Sequence, residues 1–171
     1  ATYNLPLIFW KDNMSLEQQL IALKQVELAK TANQSLQRSN KAQRQESYKQ
    51  ALLDLNQAFE EYLVQAVLLA FHLNAGQAKK VRYKKDRIRV FKQHGIDYAA
   101  IDGAETAQVL SWIAQSIVYE DAIVTHDLDN TFPFWKEGFP MVQFDNTYKV
   151  LVEDIQLHYE MILDQLIALQ H

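Results

Sequence analysis

The chain has 171 residues, 49% of them hydrophobic and 22% charged, which predicts a globular protein able to bury a core of its own. It contains no cysteine, and this excludes disulfide frameworks, thiolate zinc sites, iron–sulfur clusters and cysteine nucleophiles. Only four glycines and three prolines occur, so glycine-rich phosphate loops and turn-dense all-β folds are not expected. No apolar run approaches the roughly 18 residues that cross a bilayer, so we expect no membrane span.

The first predicted element is an apolar N-terminal arm, residues 1–14, which contains the run Leu5-Pro6-Leu7-Ile8-Phe9-Trp10. We expect the arm to dock as an extended strap on a helical domain formed by residues 15–171; an exposed partner-binding edge is the alternative. Because the first residue is Ala1 and not Met, the sequence is also compatible with a chain from which a signal peptide has been removed. We expect a cytoplasmic protein, with an exported mature chain as the alternative.

The first helix is predicted to begin at Ser15, whose hydroxyl can cap the first turn while Gln18 completes a capping box. Its apolar positions include Leu16, Leu20 and Leu23. Between Asn33 and Asn40 the apolar pattern thins, and Asn and Ser side chains there compete with helical hydrogen bonds. We predict a break in that stretch; one continuous helix is the alternative.

The second helix has the most regular apolar pattern in the chain. Its apolar side chains recur at spacings of four and three, which is typical of a helix that packs against other helices: Tyr48, Leu52, Leu55, Phe59, Tyr62, Ala66, Leu69 and Leu73. We predict that it ends at Asn74 to Gly76, with Gly76 in the left-handed conformation that terminates helices.

A basic segment follows at residues 79–92. It contains eight cations, Lys79, Lys80, Arg82, Lys84, Lys85, Arg87, Arg89 and Lys92, opposed only by Asp86, so its net charge is +7. The other residues carry 9 basic and 20 acidic side chains, or −11, which together give the chain's −4. The alternation of Val81, Tyr83, Ile88 and Val90 with cations suits a short hairpin turning near Lys85 and Asp86. A helix with Val81, Ile88 and Phe91 on one face fits almost as well.

The third main helix is predicted to open at Asp102, with Glu105 three residues later and Gly103 in the turn. Its apolar side extends through Val109, Trp112, Ile113, Ile117, Val118, Ile123 and Val124. A polar loop from His126 to Asn130 would end it.

An aromatic loop, residues 130–140, then carries Phe132, Phe134, Trp135 and Phe139 among Pro133, Gly138 and Pro140. Aromatic side chains between prolines often pack against one end of a helical bundle. Large rigid rings are also typical of binding hot spots, so partner binding is the second interpretation.

The last helix repeats the spacing of four and three, with Asp145 as its predicted cap and with Tyr148, Val152, Ile155, Tyr159, Ile162, Leu166 and Leu169 on its apolar side. Four amphipathic helices in one chain must bury their apolar faces against one another. We therefore predict an all-α fold, a single bundle of four main helices, in which Phe59 and Ile155 are buried together.

The catalytic inventory is sparse. The sequence lacks the Glu-x-x-His pairs of di-iron bundles, the His-Glu-x-x-His zinc motif, the Gly-x-Ser-x-Gly elbow and the Gly-Lys-Ser/Thr loop. The five histidines, His72, His94, His126, His158 and His171, are scattered. We predict no metal site and no cofactor.

One short pattern resembles a known enzyme family. Arg89 precedes His94 by four intervening residues, and Arg87 precedes it by six; an Arg and a His at such spacing in an all-α domain resemble the motif of HEPN ribonucleases. In that family the pair lies on one helix and attacks the RNA phosphodiester, usually in a dimer. The resemblance covers residues 87–94 and implies Arg87, Arg89 and His94 as catalytic residues.

These observations lead to two functional hypotheses. The first is a non-enzymatic interaction module, of the immunity-protein, antitoxin or adaptor kind, which binds an acidic protein face through the basic segment, the aromatic loop or both. The second is an RNA-binding or RNA-cleaving domain, since cations interleaved with Tyr83 and Phe91 can hold phosphates and stack bases. A second copy of the chain is a further candidate partner.

Overall fold

The computed structural model describes residues 14–32 and 40–171, and within them the chain is all-α, as predicted. The α-helices of this part are α1 (Leu16–Lys24), α2 (Lys41–Ala70), α3 (Ala75–Lys79), α4 (Lys84–Gln93), α5 (Ala104–Tyr119) and α6 (Phe144–Ala168). Short 3₁₀ turns lie between several of them, and an isolated antiparallel bridge joins Ile123 to Pro140. None of the described helices is both long enough and apolar enough to cross a membrane.

Helix α1 begins where the sequence predicted. The Ser15 hydroxyl accepts a hydrogen bond from the Gln18 amide at 3.1 Å, and the Gln18 side chain accepts one from the Ser15 amide at 2.9 Å. This capping box satisfies two amides that the first turn leaves free. Leu20 and Leu23 are fully buried.

Helix α1 is shorter than predicted, and the continuous-helix alternative is wrong because the helix ends at Lys24. Four residues on, the chain forms a 3₁₀ turn at Leu28–Lys30, in which Leu28 is buried and its amide donates to the Gln156 side chain at 2.9 Å. That tertiary bond replaces a helical one. The N-terminal arm, residues 1–13, and most of the predicted break, residues 33–39, lie outside the described residues.

The predicted end of the second helix needs correction. Helix α2 ends at Ala70, and the left-handed residue that follows is His72 (φ 55°) rather than Gly76. Asn74 starts a new helix instead, because its side chain accepts from the Gln77 amide at 2.8 Å and its amide donates to the Gln77 side chain at 3.1 Å. Gly76 therefore lies inside helix α3.

The basic segment is helical, so the hairpin in our fold prediction is wrong. The alternative is confirmed in its helical character but not in its face, because Val81 lies in a separate 3₁₀ turn and Ile88 is only half-buried. Residues 79–92 span the end of α3, a 3₁₀ turn at Lys80–Arg82, and most of α4. In α4 the buried side chains are Arg87, Val90 and Phe91, at the spacing of three and four that places residues on one helical face. The period-two alternation that suggested a hairpin is overridden by this burial.

Helix α5 ends earlier than predicted. It runs to Tyr119, and both Asp121 (φ 52°) and Ala122 (φ 56°) then adopt left-handed conformations that stop it. Ile123 and Val124 were predicted to extend the helix. They instead pair with the segment around Phe139 and Pro140, where the Val124 amide donates to the Phe139 carbonyl at 2.9 Å.

Helix α6 begins one residue before its predicted cap. Asp145 lies in the first helical turn, and the Phe144 amide donates to the Gln45 side chain at 2.6 Å. The apolar face is as predicted in its centre, where Ile155, Tyr159, Ile162 and Leu166 are all fully buried. Phe59 of α2 is also buried, so both Phe59 and Ile155 are buried as predicted, and their burial together stays a prediction.

The described residues fall into two compact units. Unit 1 comprises the described residues up to Glu27 together with 59–104 and 157–171, and unit 2 comprises Leu28, the described residues up to Ala58, and 105–156. The boundary between the units passes through helices α2 and α6. The basic segment lies in unit 1, and the aromatic loop lies in unit 2.

Candidate interaction surface

The eight cations of the basic segment differ in how far they are exposed. Two, Arg82 and Lys84, are half-buried, Arg87 is buried, and the other five are exposed: Lys79, Lys80, Lys85, Arg89 and Lys92. Lys85, Arg89 and Lys92 recur at spacings of four and three, so they share the outer face of α4. We call the five exposed cations, together with Tyr83, the basic surface.

Tyr83 lies within this stretch of cations, between the 3₁₀ turn and α4. Its side chain is 63% exposed, so most of the ring is accessible to a partner. Tyr83 precedes α4 in an extended conformation and makes no side-chain capping bond. An exposed ring flanked by ammonium and guanidinium groups offers a partner both apolar area and positive charge.

Two exposed or half-exposed cations are held by acids of the same unit. Arg82 pairs with Glu60 of α2 at 3.0 Å, and Arg89 pairs with Asp86 one turn earlier at 3.1 Å. The Arg89 pair is exposed, so it contributes only about 0–1 kcal/mol to stability. Arg82 is not part of the basic surface, and within that surface the Arg89 pair neutralises one charge.

Arg87 points the other way, into unit 1. Its Nε donates to the Val81 carbonyl at 2.8 Å, Nη2 donates to the Arg82 carbonyl at 3.1 Å, and Nη1 donates to the Tyr98 hydroxyl at 3.1 Å. The guanidinium carbon lies 5.3 Å from the centre of the Phe59 ring and 5.1 Å from that of Tyr98. Two carbonyls, a phenol and two π faces thus solvate the cation in place of water.

A buried hydrogen-bond chain continues from Arg87. The Tyr98 hydroxyl, which accepts from Arg87, lies 2.6 Å from His158 Nε2, and His158 Nδ1 lies 2.6 Å from the Asp102 carbonyl. Since a carbonyl only accepts, Nδ1 carries the proton and Nε2 accepts from the Tyr98 hydroxyl. Each donor therefore meets one acceptor, with the imidazole neutral.

The surroundings of His158 favour that neutral form. The residue is 1% exposed, and burial, with a further contribution from the Arg87 charge, lowers the pKa of His158 to about 4. Burial likewise raises the pKa of Tyr98. The Phe59 ring lies 5.8 Å from the imidazole, and Gly103 approaches so closely that a Cβ there would lie 2.7 Å from His158 Cβ.

The residues implied by the ribonuclease resemblance do not share one environment. Arg87 is committed to the interior of unit 1, and Arg89 pairs with Asp86 on the outer face of α4. His94 caps the end of α4, where its ring stacks on Phe71 with centroids 3.9 Å apart and planes within 5°. The structure gives each of the three residues a separate set of contacts.

The aromatic loop is partly internal. Trp135 is fully buried, Phe132 is 9% exposed, and both pack edge-to-face at 4.9 Å. The Trp135 indole donates to the Val142 carbonyl at 2.9 Å. These rings support the packing interpretation and leave Trp135 no surface for a partner, which corrects our prediction for that residue.

Two rings of the loop are more accessible. Phe134 is half-buried and stacks on Phe132 at 5.5 Å, whereas Phe139 is 67% exposed. Partner binding through Phe134 and Phe139 stays a prediction. Elsewhere in unit 2, Tyr119 at the end of α5 is 79% exposed.

Metal-ligating side chains do not gather in the part of the chain that the structure describes: it contains no group of three or more His, Asp or Glu residues placed to hold an ion. His126 lies 3.3 Å from Glu137 as an exposed pair. Of the five histidines, only His158 is buried.

Sequence reasoning missed the partners of Arg87. Tyr98 lies 11 residues from Arg87 along the chain, His158 lies 60 residues beyond Tyr98, and the three share no motif. One signal was available: Arg87 occupies the apolar face defined by Val90 and Phe91, so a helical interpretation of the segment would have placed this cation inside.

Comparison with known proteins adds no relative: no family model, no curated protein and no solved structure matches the chain significantly. The functional argument therefore depends on the residues of this chain.

Proposed function

We propose that this protein is a non-enzymatic interaction module that binds an acidic face of another protein through the basic surface. The observation that carries the proposal is the exposure of Lys79, Lys80, Lys85, Arg89 and Lys92 within 14 residues of a chain whose net charge is −4. Clustered like charges repel one another, and such a cluster gains its energy from a partner of opposite charge.

The division of labour among the cations supports this proposal. Arg87 contributes to the fold from inside, whereas Arg89 on the outer face of α4 forms only an exposed ion pair with Asp86. Exposed ion pairs contribute little to stability, whereas complementary charge across an interface accelerates association and excludes wrong partners. Exposed Tyr83 supplies the aromatic contact that interfaces favour.

RNA is the second candidate partner, and Tyr83 is the observation that favours it. A ring 63% exposed among cations matches the stacking platforms of single-strand binders, where each stacked base contributes about 1–3 kcal/mol. Cleavage would require Arg89 and His94 to act on one phosphate. We keep RNA as an outcome that the experiment must separate from protein binding.

The test is capture from native lysate with and without ribonuclease, using three baits. The first is the wild type. The second, the reversed variant, carries Glu at Lys80, Lys85 and Lys92, which are exposed and make no ion pair among those described. The third is a charge-matched control with Glu at the exposed Lys30, Lys41 and Lys149 of unit 2, which lie outside the aromatic loop.

We expect the wild type and the control to retain a protein partner after ribonuclease treatment, and the reversed variant to lose it. Loss of the captured partner after ribonuclease treatment would mean that the basic surface binds RNA and not a protein. Equal capture by the reversed variant and the wild type would remove the basic surface as the interface, and the exposed Phe139 of the aromatic loop would then be the next surface to alter.

A further inference from the structure

Helix α4 is attached to unit 1 through a small number of buried groups. Its buried side chains are Arg87, Val90 and Phe91. Phe91 packs edge-to-face on Phe71 at 5.3 Å and on Tyr98 at 5.4 Å. Arg87 makes the polar attachment, because it donates a hydrogen bond to the Tyr98 hydroxyl. The same hydroxyl is hydrogen-bonded to His158.

The polarity of the hydrogen-bond chain allows only one protonation state of His158. Arg87 is a permanent donor, so the Tyr98 oxygen accepts from it and the Tyr98 proton points to His158 Nε2. A second proton on the imidazole would place two donors face to face across 2.6 Å. Turning the Tyr98 hydroxyl away would leave its proton without the acceptor that it has now.

The groups that face His158 offer no compensating negative charge. From α2 the neighbour is the Phe59 ring, from α4 the Arg87 cation, and from the 3₁₀ turn Tyr98–Ala100 the Tyr98 phenol. Asp102 contributes its carbonyl, while Glu60 on α2 is paired with Arg82. Within the described residues, no carboxylate forms an ion pair with His158 or Arg87.

The imidazole also has no room to move away. It is 1% exposed, and a single methyl group added at Gly103 would already lie 3.1 Å from His158 Nδ1. Gly103 itself has φ +90°, a conformation that glycine adopts without strain. A protonated His158 can therefore be relieved only by opening the contacts around it.

We propose that the buried contact chain of Arg87, Tyr98 and His158 is an acid-sensitive latch, which releases helix α4 and its exposed cations Lys85, Arg89 and Lys92 from unit 1 when His158 is protonated. The weaker partner in the latch is α4, because it holds its place through few buried residues while α6 carries a long buried face. The latch belongs to the fold, so it stands whether or not the proposed partner is found.

The direction of the pH effect follows from the pKa of His158, which is about 4 in the folded protein and 6.5 for an unperturbed histidine. Above pH 6.5 the ring is neutral in both the closed and the open state. As the pH falls from 6.5 to 4, only the open state takes up the proton, and the opening constant rises about tenfold per pH unit. Between pH 7 and pH 5 the expected rise is therefore about 20-fold.

The experiment is amide hydrogen exchange of the full chain at pH 7 and pH 5, with protection corrected for intrinsic exchange rates. We expect protection of Lys84–Gln93 to fall about 20-fold while helix α5 of unit 2 changes much less. The variant His158→Gln, which offers an amide donor and acceptor but does not titrate here, should abolish the difference. An equal fall in both helices, or an unchanged fall in the variant, would overturn the proposal.

A second measurement needs no variant, so it still tests the proposal if His158→Gln fails to fold. Nitrogen-15 NMR of the wild-type imidazole reports the tautomer and the titration of His158 directly. We expect a proton on Nδ1 and a ring still neutral at pH 5. A ring that titrates near 6.5 without loss of α4 protection would also refute the latch.

Discussion

Gly103 is the residue where a single methyl group should cost most. Its φ of +90° disfavours any side chain, and a Cβ would lie 2.7 Å from His158 Cβ. We predict that Gly103→Ala lowers the free energy of unfolding by about 3 kcal/mol, from left-handed strain plus overpacking.

Gly95 provides the matched control for this prediction. It has a similar φ of +79°, yet no atom lies within 4 Å of the position that a Cβ would take there. Gly95→Ala should therefore cost about 1–2 kcal/mol, the strain alone. Urea denaturation of both variants measures the difference, and equal losses would show that His158 does not approach Gly103 as described.

Arg87 is predicted to be a structural residue. Replacing it with Gln removes most of three hydrogen bonds and leaves buried acceptors at Val81, Arg82 and Tyr98, so we expect a loss of at least about 2 kcal/mol. Arg89→Gln, which alters only an exposed pair, should change stability by less than about 1 kcal/mol. Thermal or urea unfolding measures both losses. An Arg87→Gln variant as stable as the wild type would contradict the burial of Arg87.

Residue-scale features were the hardest to predict from the sequence. Burial of Arg87 depends on Tyr98 and Phe59, which approach it only once the helices have packed. Charge composition placed all eight cations of the segment on one surface, and a charged residue is rarely buried unless its donors are satisfied. The acceptors of Arg87 are the Val81 and Arg82 carbonyls and the Tyr98 hydroxyl. They come together only in the folded chain, and no local sequence pattern predicts them.

Helix ends show where local sequence signals suffice. The capping box at Ser15 and Gln18 was predicted correctly because both partners lie within four residues. Asn74 and Gln77 form the same box, but the presence of Gly76 suggested a terminus instead. The centres of α2 and α6 were predicted from apolar spacing, since a long amphipathic stripe leaves few alternatives.

The Asn74 cap is testable at this scale, because it begins the short helix α3 that leads into the basic segment. Asn74→Ala should cost about 1 kcal/mol, since the Gln77 amide loses its side-chain acceptor. Asn74→Asp, which keeps the acceptor for the Gln77 amide, should remain near wild type. Equal losses for Ala and Asp in urea denaturation would mean that the side chain is not acting as a cap.

The charge separation of the whole molecule was visible in the sequence, and its all-α class followed from the helical periodicities. What the sequence could not provide was the sorting of charges by depth. The structure assigns Arg87 to the interior and five cations to the exterior, and this sorting turns a charge count into the proposal of a specific binding face.

The aromatic loop illustrates the same limit. Composition treated Phe132, Trp135 and Phe139 alike, yet Trp135 is fully buried and Phe139 is 67% exposed. The difference arises from backbone pairing between residues 138–141 and residues 122–124. Pairing between segments that are separated along the chain fixes which ring faces inward.

The measurement that tests the central claim most directly is the stability of the reversed variant, with Glu at Lys80, Lys85 and Lys92. If these cations serve binding and Arg87 serves the fold, the variant should unfold in urea within about 1 kcal/mol of the wild type, while Arg87→Gln falls by at least about 2 kcal/mol. A reversed variant that loses as much stability as Arg87→Gln would contradict the account, because the exposed cations would then be holding the fold together.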